Sequence, residues 1–272
     1  MKTKALALRI LKPLAASADR LRPRRHGVVV LLYHRVGART EVEVDLPTSL
    51  FERQMEALAE TGRAVTLDRA LELLAGSEPP ARDPVVVTFD DGTADFAELA
   101  VPIMARHDVP ATLYLATDFI ERGRSFPDQG KPLSWAALGD VVAGGGVTVG
   151  SHTHTHALLD RLGPAEVASE LDRSSGLIED RLGVPAQHFA YPKAVPGSPM
   201  AETEVRRRFR SAALSGTRSN RYGDSDPHRL ARSPIQVSDG MRWYTHKLEG
   251  GMGLEDVVRT ARNRRRYALA TN

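Results

Sequence analysis

Two short runs in this chain gather side chains that seldom cluster without a chemical reason. The first is Thr88-Phe89-Asp90-Asp91-Gly92. Adjacent carboxylates repel each other, so a fold that keeps both must offer a cation or a shared proton. If the pair straddles a strand-to-loop turn, one can bind a metal while the other stays free as a base. Gly92, lacking a Cβ, lets the chain turn sharply there. The second run is Ser151-His152-Thr153-His154-Thr155-His156. Neutral imidazole is the commonest metal ligand. His152 and His156 stand at i and i+4, so a helical turn puts both on one face. With Asp91 they form a two-histidine, one-carboxylate set that leaves positions open for water and substrate. His154 points elsewhere in this reading and takes no ligand role. Solvated loops are the bland alternative for either run alone, but both runs follow strand-like segments, which argues for a metal-dependent hydrolase.

The elements that must position these residues can be read from hydrophobic period. Gly27–Tyr33 and Pro84–Phe89 are short, continuous and β-branched, as strands buried on both faces should be. Ala111–Ala116, Val147–Gly150 and Gln187–Tyr191 read as further strands, with Ser211–Leu214 and Ile235–Val237 as late ones. Between them, Leu50–Thr61 places Phe51, Met55, Leu58 and Ala59 on one helical face. Leu67–Ala75, Phe96–His107, Trp135–Val142 and Glu202–Phe209 are the other helices of ordinary length. Pro164–Leu182 is the longest, with proline in its first turn and Gly183 at its stop. Repeated β–α alternation predicts an α/β fold: a parallel sheet with helices outside, open or closed into a barrel. Ligand sites in such folds form at the C-terminal ends of strands, where both polar runs fall.

Composition narrows the function classes. With 37 Lys and Arg against 34 Asp and Glu, the formal net charge is only +3, too small a field for a nucleic-acid binder. The surplus sits at the ends, at Arg20, Arg22, Arg24 and Arg25 and at Arg262, Arg264, Arg265 and Arg266, which read as solvated termini or as a peripheral contact with acidic lipid or polymer. There is no cysteine, which excludes disulfides, thiolate ligands and a cysteine nucleophile. Ala5–Leu14 is broken by Arg9, Lys12 and Pro13 before it can serve as a signal-peptide core. Leu6, Ile10, Leu11 and Leu14 instead share one face of a short amphipathic helix. No stretch approaches the ~20 apolar residues of a membrane span. The expected organisation is an N-terminal amphipathic, basic segment (1–26), one catalytic domain (27–250) and a basic C-terminal helix (251–272), in a cytoplasmic protein that could lie beside a membrane.

TFDDG followed about 60 residues later by SHTHTH resembles the polysaccharide deacetylase family, the NodB-homology domain of carbohydrate esterase family 4. The likeness extends over Gly27 to Gly250. It takes in Tyr33-His34-Arg35-Val36, the Phe51–Leu58 helix, Pro110-Ala111-Thr112, Leu182-Gly183 and Phe189-Ala190-Tyr191-Pro192. It implies a distorted (β/α) barrel of about seven strands. It also implies roles: Asp90 as catalytic base, and Asp91, His152 and His156 as ligands of a divalent metal, zinc foremost, with cobalt or nickel as substitutes. Tyr191, Pro192 and Lys193 fall where the family contacts substrate and oxyanion. Two features depart from the pattern. Ala190 stands where an arginine usually braces the base, and Lys193 stands where an aromatic is usual. The FAYP form resembles a sub-branch acting in exopolysaccharide biosynthesis. Arg232 is a candidate substrate contact or replacement brace. The late histidine that serves as general acid is not evident, leaving His34 and His246 as candidates.

The activity implied is hydrolysis of acetyl groups, foremost the N-acetyl group of an amino-sugar polymer or oligomer. O-acetyl ester hydrolysis on the same scaffold is one alternative. A carbohydrate-binding module with weakened catalysis is the other, and the retention of Asp90 beside the metal set argues against it.

Overall fold

The computed structural model describes residues 12–13, 15–17, 19, 26–76 and 78–268. The proposed apolar face of Leu6, Ile10, Leu11 and Leu14 lies outside them. Strand β1 (Val29–Tyr33) leads into a two-stranded parallel ribbon, β2 (Arg35–Val36) with β3 (Asp45–Leu46). Helices α1 (Thr48–Glu60) and α2 (Leu67–Ala75) precede β4 (Val85–Phe89). Every residue of β1 and β4 is buried, as their unbroken apolar sequences require of strands covered on both faces. Helix α1 turns Phe51, Met55 and Leu58 inward as its period predicts, together with Gln54, whose Oε1 accepts the Tyr33 hydroxyl at 3.0 Å.

The expected helix over Phe96–His107 is present in two parts, a π-helical turn over Phe96–Ala100 and α3 (Val101–Arg106). Pro102 supplies no N–H for a regular i−4 bond, which accounts for the widened turn before it. Then come β5 (Ala111–Leu115), α4 (Thr117–Glu121), α5 (Trp135–Ala143), β6 (Val147–Ser151) and α6 (Pro164–Leu182). Helix α6 starts on Pro164 and stops at Gly183 with φ 68°, both as expected. Strand β7 (His188–Ala190), α7 (Pro199–Arg208), β8 (Ser211–Ala213) and β9 (Ser233–Pro234) follow. The chain ends on α8 (Gly240–Leu248) and α9 (Gly253–Ala268).

Seven strands form one parallel sheet in the order β8-β7-β6-β5-β4-β1-β9. The sheet curls because its two edges share a segment. Leu230 bridges to Ala213, and the Gly216 N–H donates to the Arg232 carbonyl, while Ser233 and Pro234 pair with Leu31 and Leu32 of β1. Residues 230–234 are thus the seam of a distorted (β/α) barrel. The expected last strand, Ile235–Val237, is corrected to Ser233–Pro234. Val237 instead opens a tight helical turn whose Asp239 carboxylate accepts the Gln236 N–H at 2.7 Å. Among the described residues the largest apolar core includes the Tyr33, Phe51, Phe89 and Phe96 rings, and a second, smaller one packs Val28, Val30 and Val86 against Leu67, Ala70 and Leu74. No helix of the described residues is long and apolar enough to cross a membrane.

Candidate metal centre

Strands β4 and β6 deliver the two polar runs to the same rim, on either side of β5. The Asp90 N–H donates to the Tyr33 carbonyl at 3.1 Å, extending the β1–β4 ladder one step beyond the strand. The chain then breaks direction at Asp91, whose φ of 75° lies in the left-handed region. Gly92 follows with φ 99°, and a Cβ there would come within 2.8 Å of the Leu115 side chain. Asp90 and Asp91 therefore differ in setting, the first buried and the second partly exposed, though each brings an oxygen to 3.8 Å from His152 Nε2. On β6, the His152 N–H donates to the Leu115 carbonyl at 2.9 Å. Thr153 and His156 take φ values of 65° and 63°. The helical turn expected between the two histidines is not formed. These two left-handed residues fold the segment into a bent loop instead, and it brings the imidazoles together all the same, with ring centroids 4.9 Å apart. Left-handed conformations cost a non-glycine residue free energy, and here two of them fall on candidate ligands.

Asp91, His152 and His156 offer one carboxylate oxygen and two imidazole nitrogens within 4.8 Å of one another. His156 Nε2 lies 3.5 Å, and His152 Nε2 3.8 Å, from Asp91 Oδ1. Donors each ~2.1 Å from one ion at the tetrahedral angle lie roughly 3.4 Å apart, so the set fits a divalent cation. His152 Nδ1 meets the Ala190 carbonyl at 2.7 Å, so this nitrogen carries the proton and Nε2 turns its lone pair to the site. Burial, together with the neighbouring His152, holds His156 neutral, its pKa down to about 3. For Asp91, burial is outweighed by His34, His156 and His152, which leave its carboxyl below the usual range. Asp91 and His156 are thus held in the protonation states that a metal needs.

Asp90 is buried beside this set, with Oδ2 3.8 Å from His152 Nε2. Its brace is Arg232, which grips both carboxylate oxygens, Nη1 to Oδ1 at 2.6 Å and Nη2 to Oδ2 at 2.8 Å. Arg232 is only 1% exposed and also donates to the Leu214 carbonyl, so it does not reach substrate. Of its two expected roles, the structure shows the brace. Burial alone would raise the Asp90 pKa, but the Arg232 guanidinium and His152 outweigh it and hold the carboxyl well below its ordinary value.

The remaining candidates separate. His34 follows β1 at the rim, near enough to interact with Asp91 and Asp90; burial lowers its own pKa, and its Nδ1 is buried without a hydrogen-bond partner. His246 lies on α8 with its ring against Trp243, and no described contact joins it to the metal set. Tyr191 and Pro192, expected at the substrate, are buried instead. Tyr191 packs edge-on against Phe189 in the core. Lys193 alone of that trio is exposed, on a turn with φ 55°, close enough for its charge to act on Asp91 and His156.

Sequence reasoning did not find the supports of the histidine loop. Thr117 Oγ1 meets His154 Nδ1 at 2.9 Å, the Asp118 N–H donates to the His154 carbonyl at 2.8 Å, and Glu170 accepts both the Thr155 N–H and hydroxyl at 2.8 Å. His154 is thus the inward anchor of the loop. No local spacing announces these partners, because they come from α4 and α6.

The rim holds a carboxylate and two imidazoles with a second carboxylate paired to Arg232 alongside, in a chain that is similar to known deacetylases. The polysaccharide deacetylase family model matches residues 77–206. YxkH of Bacillus subtilis (strain 168), provisionally named a polysaccharide deacetylase, is 25% identical over 60% of this chain and 55% of its own length. The match therefore spans about half of that relative. The structure of IcaB from Ammonifex degensii superposes with a TM-score of 0.71 at 26% identity, covering 82% of this chain and 97% of that one. The Streptococcus pyogenes deacetylase PplD, solved with acetate, has a TM-score of 0.70 at 19% identity, covering 81% and 98%, and shows the fold. The chain is thus similar to polysaccharide deacetylases, in sequence over residues 77–206 and in fold over most of its length.

Proposed function

We propose that this protein is a metal-dependent deacetylase that hydrolyses N-acetyl groups of an amino-sugar polysaccharide. The observation that carries the reading is the donor set of Asp91, His152 and His156 with the Arg232-braced Asp90 at its side. Asp91, His152 and His156 would hold a divalent cation, zinc foremost and cobalt or nickel suiting the same donors, which when bound would supply Lewis acidity and lower the pKa of water toward neutral. Asp90 takes the proton of the attacking water, and Arg232 keeps its carboxylate ionised and aimed. Of the two general-acid candidates His34 is the better placed, since it lies near both carboxylates; burial lowers its pKa, so it would pass to the departing amine a proton received during the reaction and not one held at rest. The Ala194 and Val195 N–H groups already donate to Tyr191 and Pro192 carbonyls, so the Lys193 amide and ammonium are left to meet the developing oxyanion.

Acetate release from an N-acetylglucosamine oligomer, with zinc and then with a chelator, tests this. Wild type is expected to release acetate only with metal. Asp90→Asn is expected to lose on the order of 10²–10⁴ in rate while keeping its metal. Asp91→Asn is expected to lose the metal itself, read by elemental analysis. Undiminished metal in that variant, or release that survives chelation, would overturn the assignment. An O-acetylated xylan run alongside separates esters from amides.

A further inference from the structure

The segment between β5 and α5 leaves and re-enters the metal centre at the ligand's own backbone. The Ala116 N–H donates to the Asp91 carbonyl at 3.1 Å, and the Leu133 N–H donates to the Gly92 carbonyl at 2.9 Å. Beside that return, the Ala94 N–H donates to the Lys131 carbonyl at 2.8 Å. Everything between is therefore a loop standing on the rim next to Asp91. It is braced from within: Phe119 and Phe126 stack with centroids 4.3 Å apart, and Asp118 pairs with Arg122 and Arg124 at 2.7 and 2.8 Å. Its tip is a tight hairpin in which Asp128 and Gln129 both hold positive φ, 55° and 58°, with exposed side chains. That strained tip is pinned from outside. Arg35, 8% exposed, donates Nη1 to the Asp128 carbonyl at 2.9 Å and Nη2 to the Pro127 carbonyl. Gly130 is the surface against which the guanidinium lies, since a Cβ built there would overlap it.

Arg35 adjoins His34, so the pin crosses from the β1 side of the centre to a loop rooted beyond β4. A guanidinium aimed at two consecutive carbonyls fixes a loop's position more tightly than any single bond. We propose that residues 119–130 are a wall of the glycan groove and that Arg35 is the positioning residue that sets it. The exposed Asp128 and Gln129 then accept and donate hydrogen bonds to hydroxyls of sugar units beside the one being deacetylated. An uncharged amino-sugar polymer fits such a wall, because Asp128 repels acidic sugars. This inference rests on the deacetylase reading for its substrate class.

The test is calorimetric binding of N,N′-diacetylchitobiose and penta-N-acetylchitopentaose to the full chain, which needs no turnover. Wild type binds the longer chain more tightly. Arg35→Ala weakens the longer chain by about tenfold, the loss expected of disordered polar contacts, and leaves the shorter unchanged. Arg35→Lys recovers part of the loss. Gly130→Ala, which displaces the guanidinium without removing it, repeats the Arg35→Ala result if that variant folds poorly, and the double variant is no worse than either single. In turnover the loss falls on KM with kcat intact. Equal weakening of both oligomers, no weakening of either, or wild type that binds neither would overturn the wall. Length-dependent binding without any acetate release would leave the wall standing and remove the deacetylase reading.

Discussion

Arg232 reaches Asp90 from residue 232 because the chain closes its barrel there, and no local motif around either residue advertises the meeting. The two polar runs were legible in sequence because a strand end, a turn glycine and a histidine pair are local features. The brace was legible only as a gap at Ala190, with Arg232 one candidate to fill it. In this chain Ala190 is not idle, since its carbonyl sets the His152 tautomer. The i, i+4 argument brought His152 and His156 together for the wrong local reason, because backbone with positive φ at Thr153 and His156 has no sequence signature beyond non-glycine strain. The brace yields a prediction about pH. Burial raises the Asp90 pKa and Arg232 opposes it most strongly, so removing the guanidinium leaves only His152 and His34 to oppose burial. In Arg232→Ala, Asp90, the base of the proposed mechanism, takes up its proton at higher pH. The acid limb of kcat/KM then moves upward, and activity at neutral pH falls by about tenfold or more. A pH–rate profile with an unmoved acid limb would show that Arg232 does not set the charge of Asp90.

At the scale of elements, most strands and helices were legible because their apolar periods are strong, and Leu67–Ala75 and Pro164–Leu182 were read to the residue. Helix α8 was not read, since Gly240–Leu248 mixes aromatic, basic and polar residues without a clean stripe. Its place is fixed instead by buried charge. Asp239 accepts Lys12 Nζ at 2.6 Å and Lys247 Nζ at 2.8 Å, and Lys247 also lies 3.5 Å from Glu255 of α9. Both Asp239–lysine pairs are almost wholly out of solvent, and the network joins residue 12 to the last two helices. Burial would raise the Asp239 pKa, yet the two ammonium groups hold it below the usual range. Removing the carboxylate leaves buried Lys12 without its counter-charge and Lys247 with only the longer contact to Glu255, which costs more than the pairs themselves contribute. Asp239→Asn is expected to lose about 3–5 kcal/mol in urea unfolding. A loss under about 1 kcal/mol would mean that water reaches the lysines and the network is surface-like.

For the molecule as a whole, the rim and the opposite end of the barrel respond to acid separately. His188 opens β7, away from the metal set at the strand ends, and is fully buried. Its Nδ1 meets Ser211 Oγ at 2.9 Å, and its Nε2 lies 3.4 Å from Asp68 of α2, which Arg210 also contacts. Burial is the largest influence on it. Asp68 pulls the pKa up and Arg210 pushes it down, and the net result is a value of about 4 against an ordinary 6.5. The unfolded chain therefore binds a proton on this histidine below about pH 6.5, while the folded chain refuses it until about pH 4. Folding stability must fall as pH drops through that window, by on the order of 3 kcal/mol from this group, and level off below it. His188→Gln removes the titration while keeping an amide near Ser211, so its urea midpoint is expected to fall less between pH ~7 and pH ~4.5 than that of wild type. The acid limb of activity, which the proposed mechanism assigns to Asp90, is expected to stay where it is in this variant. Parallel declines of the two midpoints would place the acid sensitivity of the fold elsewhere, and a shifted activity limb would show that the two ends of the barrel are coupled.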